Sequence, residues 1–213
     1  MSQSLSIPNL SIQVQGKDIQ AISPIMDGLK KHPLSHTPWI AFPYSPKVDF
    51  SIAHSGDYVY LKYFVAEKHL RAVNTEINSP VYEDSCVEFF ISFDDTGYYN
   101  FECNSVGTFL VYFGKDLATR KPLSTETIEK IQTFTTFQRN VNDKSVNWTI
   151  TWAIPISTFS NHLDLSLKGK ASRANFYKCG DKLPEPHYIS WSNITTEKPD
   201  FHRPEFFGEV VFE

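Results

Sequence analysis

Sulfur is scarce in this chain: three cysteines and two methionines among 213 residues, one of the methionines being the first residue. Cys86, Cys103 and Cys179 are an odd number with no metal-ligand spacing, which excludes a disulfide framework or a zinc module. They read as buried free thiols, behaving as small hydrophobic side chains. Met26 is the sole methionine beyond the first position, so an axial Met–His haem site has almost nothing to draw on. No run of about 18 apolar residues occurs, which leaves no candidate membrane-spanning helix. Basic residues are not in excess either. A formal net charge of −4 gives no positive field for nucleic acid or anionic lipid. Met1–Pro8 lacks the basic start and apolar stretch of a secretory leader. A cytoplasmic protein is expected if that start is native, and a periplasmic or secreted one if a leader has been removed. His32 and His36 are four apart, but Pro33 and Pro38 deny them the helix that would pair them as metal ligands.

What the chain has in abundance is rings. Phe, Tyr and Trp make up 15% of it, and rings suit the half-buried pleat of a strand. Strand signals dominate from Asp49 onward. Phe50–His54 leads through Ser55-Gly56-Asp57 into Tyr58–Val65, a run apolar on both faces and so expected to be a central strand. Cys86–Phe93, Tyr98–Asn104 and Thr108–Phe113 follow, separated by turns at Asp94–Gly97 and at Gly107. Ile131–Val141 and Val146–Ile154 read as a hairpin, with Trp148, Ile150, Trp152 and Ile154 on its core face. Arg173–Lys178 and Glu209–Phe212 supply the last strands. A short helix is expected with Ser23 as N-cap and Pro24 as its first residue, ending before Pro33. Lys115–Glu129 reads as a loop with a helical turn. Closely spaced strands with few helical pieces predict one all-β domain over residues 1–213, an antiparallel β-sandwich with short peripheral helices, residues 1–36 being an N-terminal lead-in. The pattern sets no oligomeric state.

Alternation assigns the side chains to faces. Val87, Phe89, Ile91 and Phe93 form one apolar face, so Glu88 points the other way with Cys86 and Phe90. Phe101 and Cys103 read as core, which leaves Asn100, Glu102 and Asn104 on Glu88's face. Ala174 and Phe176 read as core, which leaves Arg173, Asn175 and Tyr177 outside. If these strands are neighbours, Glu88, Glu102, Asn104, Arg173 and Asn175 share a face whose paired donors and acceptors match vicinal hydroxyls. Two aromatic-rich segments, Ile189-Ser190-Trp191 and Asp200-Phe201-His202-Arg203-Pro204, supply rings for the apolar C–H patches of a pyranose. Trp191 fits equally a platform or a core cap.

Tyr82-Glu83-Asp84-Ser85-Cys86-Val87-Glu88-Phe89-Phe90, Phe101-Glu102-Cys103-Asn104, Ser190-Trp191 and Phe201-His202-Arg203-Pro204-Glu205-Phe206-Phe207-Gly208 together resemble the family-9 carbohydrate-binding modules. The stand-alone branch of that family is the nearer match, since Arg173-Ala174-Asn175-Phe176-Tyr177-Lys178-Cys179-Gly180-Asp181 and His187-Tyr188 also fit it. The likeness runs from about Trp39 to the C-terminus. It implies a β-sandwich that grips a terminal sugar between two rings, without catalysis, and structural calcium in some members. Carried over by position, the family's carboxylate falls on Glu88. Its first stacking ring falls at Val81 or Tyr82, of which only Tyr82 is aromatic, and its second at Phe201 or His202. The family's arginine on the neighbouring strand is replaced by Glu102, and Cys86 is an extra residue inside the Asp-Ser-Val-Glu motif. The ligand-binding set expected is thus Tyr82, Glu88, Glu102, Asn104, Arg173, Asn175, Trp191, Phe201, His202 and Arg203, with a mono- or oligosaccharide as partner.

Two other classes compete with this reading. A glycoside hydrolase would use Glu88 and Glu102, which as cross-strand neighbours stand at the separation of a retaining pair. The sequence offers no asymmetry to make one the acid and the other the base. A haem-binding sandwich is the second, and Met26, lying before the sandwich, disfavours it. No cofactor is expected, the one exception being structural calcium at Asp84 with Asp94 and Asp95.

Overall fold

The computed structural model describes residues 3–213. The strands are β1 Ser4–Ile7, β2 His32–Pro33, β3 Lys47–His54, β4 Tyr58–Glu67, β5 Cys86–Asp94, β6 Gly97–Asn104, β7 Phe109–Gly114, β8 Lys121–Pro122, β9 Gln132–Arg139, β10 Val146–Pro155, β11 Ala171–Cys179, β12 Tyr188–Ser190 and β13 Gly208–Phe212. Three short helices, α1 Ser11–Val14, α2 Ile19–Asp27 and α3 Thr125–Ile128, lie among them. One sheet runs β1-β13-β11-β5-β6-β7-β8 with β12 also on β11, and the other runs β2-β3-β4-β10-β9. Every pairing is antiparallel except β1 on β13, which is parallel. The sandwich is therefore mostly, not wholly, antiparallel.

Alternation along the strands fills three apolar layers. Between the sheets lie Val87, Phe89, Ile91 and Phe93 of β5, Phe101 and Cys103 of β6, Ala174 and Phe176 of β11, and Trp148, Ile150, Trp152 and Ile154 of β10. Phe50 and Phe89 both stack on Phe176, with centroids 3.8 and 5.1 Å from it, so rings tie the two sheets together. The central strand β4 is covered on both sides, though its outer face holds the buried Lys62, whose ammonium is taken by Ser23 and Asp27 of α2. Its outer face, with Tyr60, meets Ile22 and Met26 of α2 in the second layer. Met26 is thereby committed to packing beneath a helix.

The third layer corrects the expectation of an open polar face. The outer side of β5, β6 and β11 carries Cys86, Phe90, Tyr98, Tyr177 and Cys179, and these are roofed by Trp39, Val81, Ile194, Phe201 and Phe207. Loops from the entry segment and from the C-terminal third thus cover a sheet face that alternation alone leaves open. The indole of Trp39 anchors the roof by donating to the carbonyl of Thr196 at 3.0 Å.

The lead-in also differs from expectation. Residues 4–7 form an edge strand of the larger sheet, with Leu5 and Ile7 in the main core. Helix α2 starts five residues earlier than Pro24. Asp18 caps it by accepting from the Ala21 N–H at 2.9 Å, and Pro24 sits inside the helix. An aspartate with extended backbone satisfies an orphan amide of the first turn better than Ser23 can from within it.

Candidate functional site

Glu88 and Glu102 are directly opposite one another on β5 and β6, and Glu88 also faces Tyr177 on β11. Side chains so paired on one face stand roughly 5 Å apart. Both acids are buried, by the aromatic roof and not by the sandwich interior. They form the floor of a cavity of about 490 Å³ on the outer face of the larger sheet, lined also by Tyr82, Arg120, Cys179, Asp181, Tyr188, Phe201 and His202. A single 3₁₀ turn, Val81–Glu83, raises Tyr82 over one side, with Val81 as its buried foot. Phe201 and His202 stand in the loop before β13. Phe201 stacks on Tyr177 at 4.2 Å and 12°, and His202 leans on Phe90 at 5.0 Å. The Nδ1 atom of His202 is paired with the Tyr98 hydroxyl at 3.1 Å.

The floor's electrostatics follow from burial. Glu102 accepts from Asn100 Nδ2 at 3.0 Å and from Arg120 Nη1 at 3.4 Å. Burial nevertheless lifts its carboxyl to about 7, the arginine opposing the rise. Glu88 is raised well above the carboxylate range, first by burial and then by the charge of Glu102. Its Oε1 accepts only the Cys179 thiol, at 3.0 Å. Burial raises Asp181 to about 6. His202 is pushed down to about 3 by burial, with the positive charge of Arg120 adding to it, and stays neutral. Arg120 comes from the loop between β7 and β8 and lies over the Tyr112 ring, 4.7 Å from its centroid. It sets a guanidinium beside Glu102, the residue that stands where the family resemblance implies an arginine.

Of the ten residues expected from sequence, Tyr82, Glu88, Glu102, Phe201 and His202 line this cavity, and the other five are placed elsewhere. Asn104 is on the right face, but its amide holds a loop. It donates to the Asn74 carbonyl and Asp84 Oδ2 and accepts from the Val106 and Thr108 N–H groups. Asn175 ties β11 to the segment after β12 by accepting from the Ser192 N–H at 2.8 Å and donating to its carbonyl at 3.1 Å. Arg173 pairs with Ser92, four residues along β5 from Glu88, and donates to the carbonyls of Glu205 and Phe207. Trp191 is a core residue, edge-on to Phe50 and Phe176. Arg203 is spent on Glu205. Arg120, Asp181 and Tyr188 were missed. Asp181 and Tyr188 fall inside the motif runs that carry the resemblance, so a signal existed. Arg120 sits in the least legible segment and had none.

Calcium does not suit the acids named for it. Asp84 and Asp94 stand at opposite ends of β5. Asp84 faces donors, not oxygen ligands: the N–H groups of Val73 and Asn74, the Asn104 amide, and Arg71 Nε at 3.3 Å. Asp94 is occupied by Thr96, which together with His162 pulls its carboxyl down to about 2. A hard cation needs six to eight oxygens, and neither position offers them. A second cavity, of about 550 Å³ beside α1, has Tyr58 and Tyr60 among its lining. Those rings stack on each other, 5.8 Å and 15° apart, and make one wall instead of two.

A two-sheet sandwich that carries a ring-walled cavity with a carboxylate floor on one outer face is a β-sandwich binding module. The chain belongs to carbohydrate-binding family 9, whose family model matches residues 21–212. Among solved structures, it is 39% identical to a Bacteroides uniformis protein proposed to bind carbohydrate, over 100% of both chains, with a TM-score of 0.92. It also matches a family-9 module from Caldicellulosiruptor kristjanssonii solved with glucose, at 14% identity over 99% of this chain and 96% of that one, with a TM-score of 0.62. The cellotriose complex of a family-9 module from that organism matches at 13% identity, over 99% and 94%, with a TM-score of 0.62. No curated relative matches the chain.

Proposed function

We propose that the cavity between Tyr82 and the Phe201–His202 loop is the site at which this protein binds a sugar, and that it does so without transforming it. The observation that carries this is the convergence, from segments about 120 residues apart, of the rings of Tyr82, Phe201 and His202 on one cavity with a buried Glu88–Glu102 pair. Rings stack on the apolar faces of a pyranose, while the few polar groups beneath select its hydroxyls. Arg120 supplies donors, and Glu88, Glu102 and Asp181 supply acceptors. The volume suits one or two sugar rings, in keeping with recognition of a chain end.

The two glutamates do give the asymmetry that the sequence lacks, with Glu102 held by Arg120 and the charge of Glu88 disfavoured by burial and by Glu102. They rise side by side from neighbouring strands of one sheet. A glycosidase pair flanks the scissile bond from opposite sides, and two groups on one floor reach a sugar from the same side. This supports binding over hydrolysis. A glycan array on the intact protein, followed by calorimetry with glucose and cello-oligosaccharides, tests the reading. Micromolar to millimolar binding of a saccharide, weakened several-fold by removing the Tyr82 ring, is expected. Absence of binding to any glycan would overturn it.

A further inference from the structure

The cavity carries more negative than positive chemistry. Glu88, Glu102, Asp181 and Asp200 line it, against Arg120 as the single arginine or lysine, and His202 is a neutral ring. Among these acids Glu88 stands apart. It is 3% exposed, yet it forms no salt bridge with any lysine, arginine or histidine among the described residues. Arg120 is turned to Glu102 at 3.4 Å, and Asp200 has Arg203 at 4.0 Å. Among the described residues, the only side chain hydrogen-bonded to the Glu88 carboxyl is the thiol of Cys179, a weak donor. Around it stand Glu102 of β6, Tyr177 and Cys179 of β11, Cys86 of β5, Tyr63 of β4, Asp181, and Arg120 from its loop. None but the arginine is a cation.

Resting on the sugar-site reading above, we propose that the ligand class is an amino sugar, whose ammonium group sits over Glu88 and is shared with Asp181. A carboxylate buried without a cation is a strong partner for an ammonium that arrives with a ring already stacked, because the charge-assisted bond then forms out of water. A neutral hexose leaves that group with a hydroxyl only. Burial and the charge of Glu102 disfavour the ionised form of Glu88 in the free protein. Binding of an ammonium favours the ionised form, so the carboxyl releases its proton to solvent as the ion pair closes. Asp181, raised to about 6 by burial, contributes in the same sense at mildly acidic pH.

Calorimetry with glucosamine, glucose and N-acetylglucosamine, repeated in buffers of different ionisation enthalpy at pH 6.5, tests this. Glucosamine is expected to bind about tenfold or more tighter than glucose and to release protons, whereas glucose and N-acetylglucosamine release none. Glu88→Gln, isosteric with the protonated acid, should bring the glucosamine-to-glucose ratio down towards one and cut proton release to the smaller share that Asp181 gives, whatever it does to either sugar alone. Neutral sugars binding as well as glucosamine would overturn the inference and leave the sugar site standing. So would a glucosamine preference that survives Glu88→Gln in a variant with an unchanged circular dichroism spectrum. Failure of every sugar, charged or neutral, would overturn both readings.

Discussion

Single side chains at the cavity have separable roles. Glu88→Ala removes a hydrogen-bonding group from the floor and is expected to weaken sugar binding by about 1.5–3 kcal/mol, read by calorimetry as roughly a tenfold to hundredfold loss. Tyr82→Ala removes a wall, and the ring face meets any pyranose alike. Its cost of about 1 kcal/mol or more should therefore be similar for every sugar that binds. Arg173→Ala should leave the affinities unchanged, because Arg173 serves the carbonyls of Glu205 and Phe207 at 3.1 Å each and stands apart from the cavity. A pH dependence of stability also belongs to this scale. Glu102 has a folded pKa of about 7, above its usual value near 4.5, because of burial. At this group the folded state binds more protons than the unfolded one between those values, so its contribution to stability is full below about pH 4.5 and is lost as pH rises through 7. His202, pushed down to about 3, acts in the opposite sense below its usual 6.5, so thermal melting from pH 6.5 to 8 should show the decline, and Glu102→Gln should make it shallower.

At the scale of elements, strands β4 and β11 are joined by a charge that the sequence gives no reason to expect inside. Lys178, fully buried, reaches Glu67 Oε2 at 2.9 Å, and His187 Nε2 lies 2.8 Å from the same ammonium. The other oxygen of Glu67 accepts from the Trp148 indole at 2.7 Å. This cluster fixes one end of the sandwich, just below the strand positions of Cys179 and Glu88 that border the cavity. Lys178→Met strands the Glu67 carboxylate and should cost about 3–5 kcal/mol in chemical denaturation, whereas Lys178→Met with Glu67→Gln should recover much of it. Alternation puts Lys178 on the core face with Ala174 and Phe176, yet its partner lies on a strand more than a hundred residues away. Pairing across the sheets is invisible to local pattern. Helix α2 shows the complementary case, where a local signal existed in Asp18 and a Ser-Pro dipeptide competed with it.

For the whole molecule, the larger sheet is closed by its own two ends. β1 lies parallel to β13, and Glu213 N–H bonds the Ile7 carbonyl at 3.0 Å. No helix among the described residues is long and apolar enough to cross a membrane. Because Arg71 and backbone amides, not a metal ion, compensate Asp84, a chelator such as EDTA is expected to leave the melting temperature unchanged. A drop of several degrees would show a structural metal elsewhere.

Period-two alternation, turn residues and an abundance of rings were enough to determine the sandwich, its main core and the face on which Glu88 lies, because those follow from neighbours along a strand. Alternation put Glu88 and Glu102 on one face, and it was the family resemblance that added Tyr82, Phe201 and His202 to the same candidate set. Tertiary structure alone decided that this face is roofed, that Asn104 and Asn175 are consumed by backbone groups, and that Trp191 belongs to the core. It also decided that Arg120 arrives from a distant loop to stand beside Glu102. The reason is that a side chain's face is a local property. Whether its polar atoms stay free for a ligand depends on what the rest of the chain folds against them.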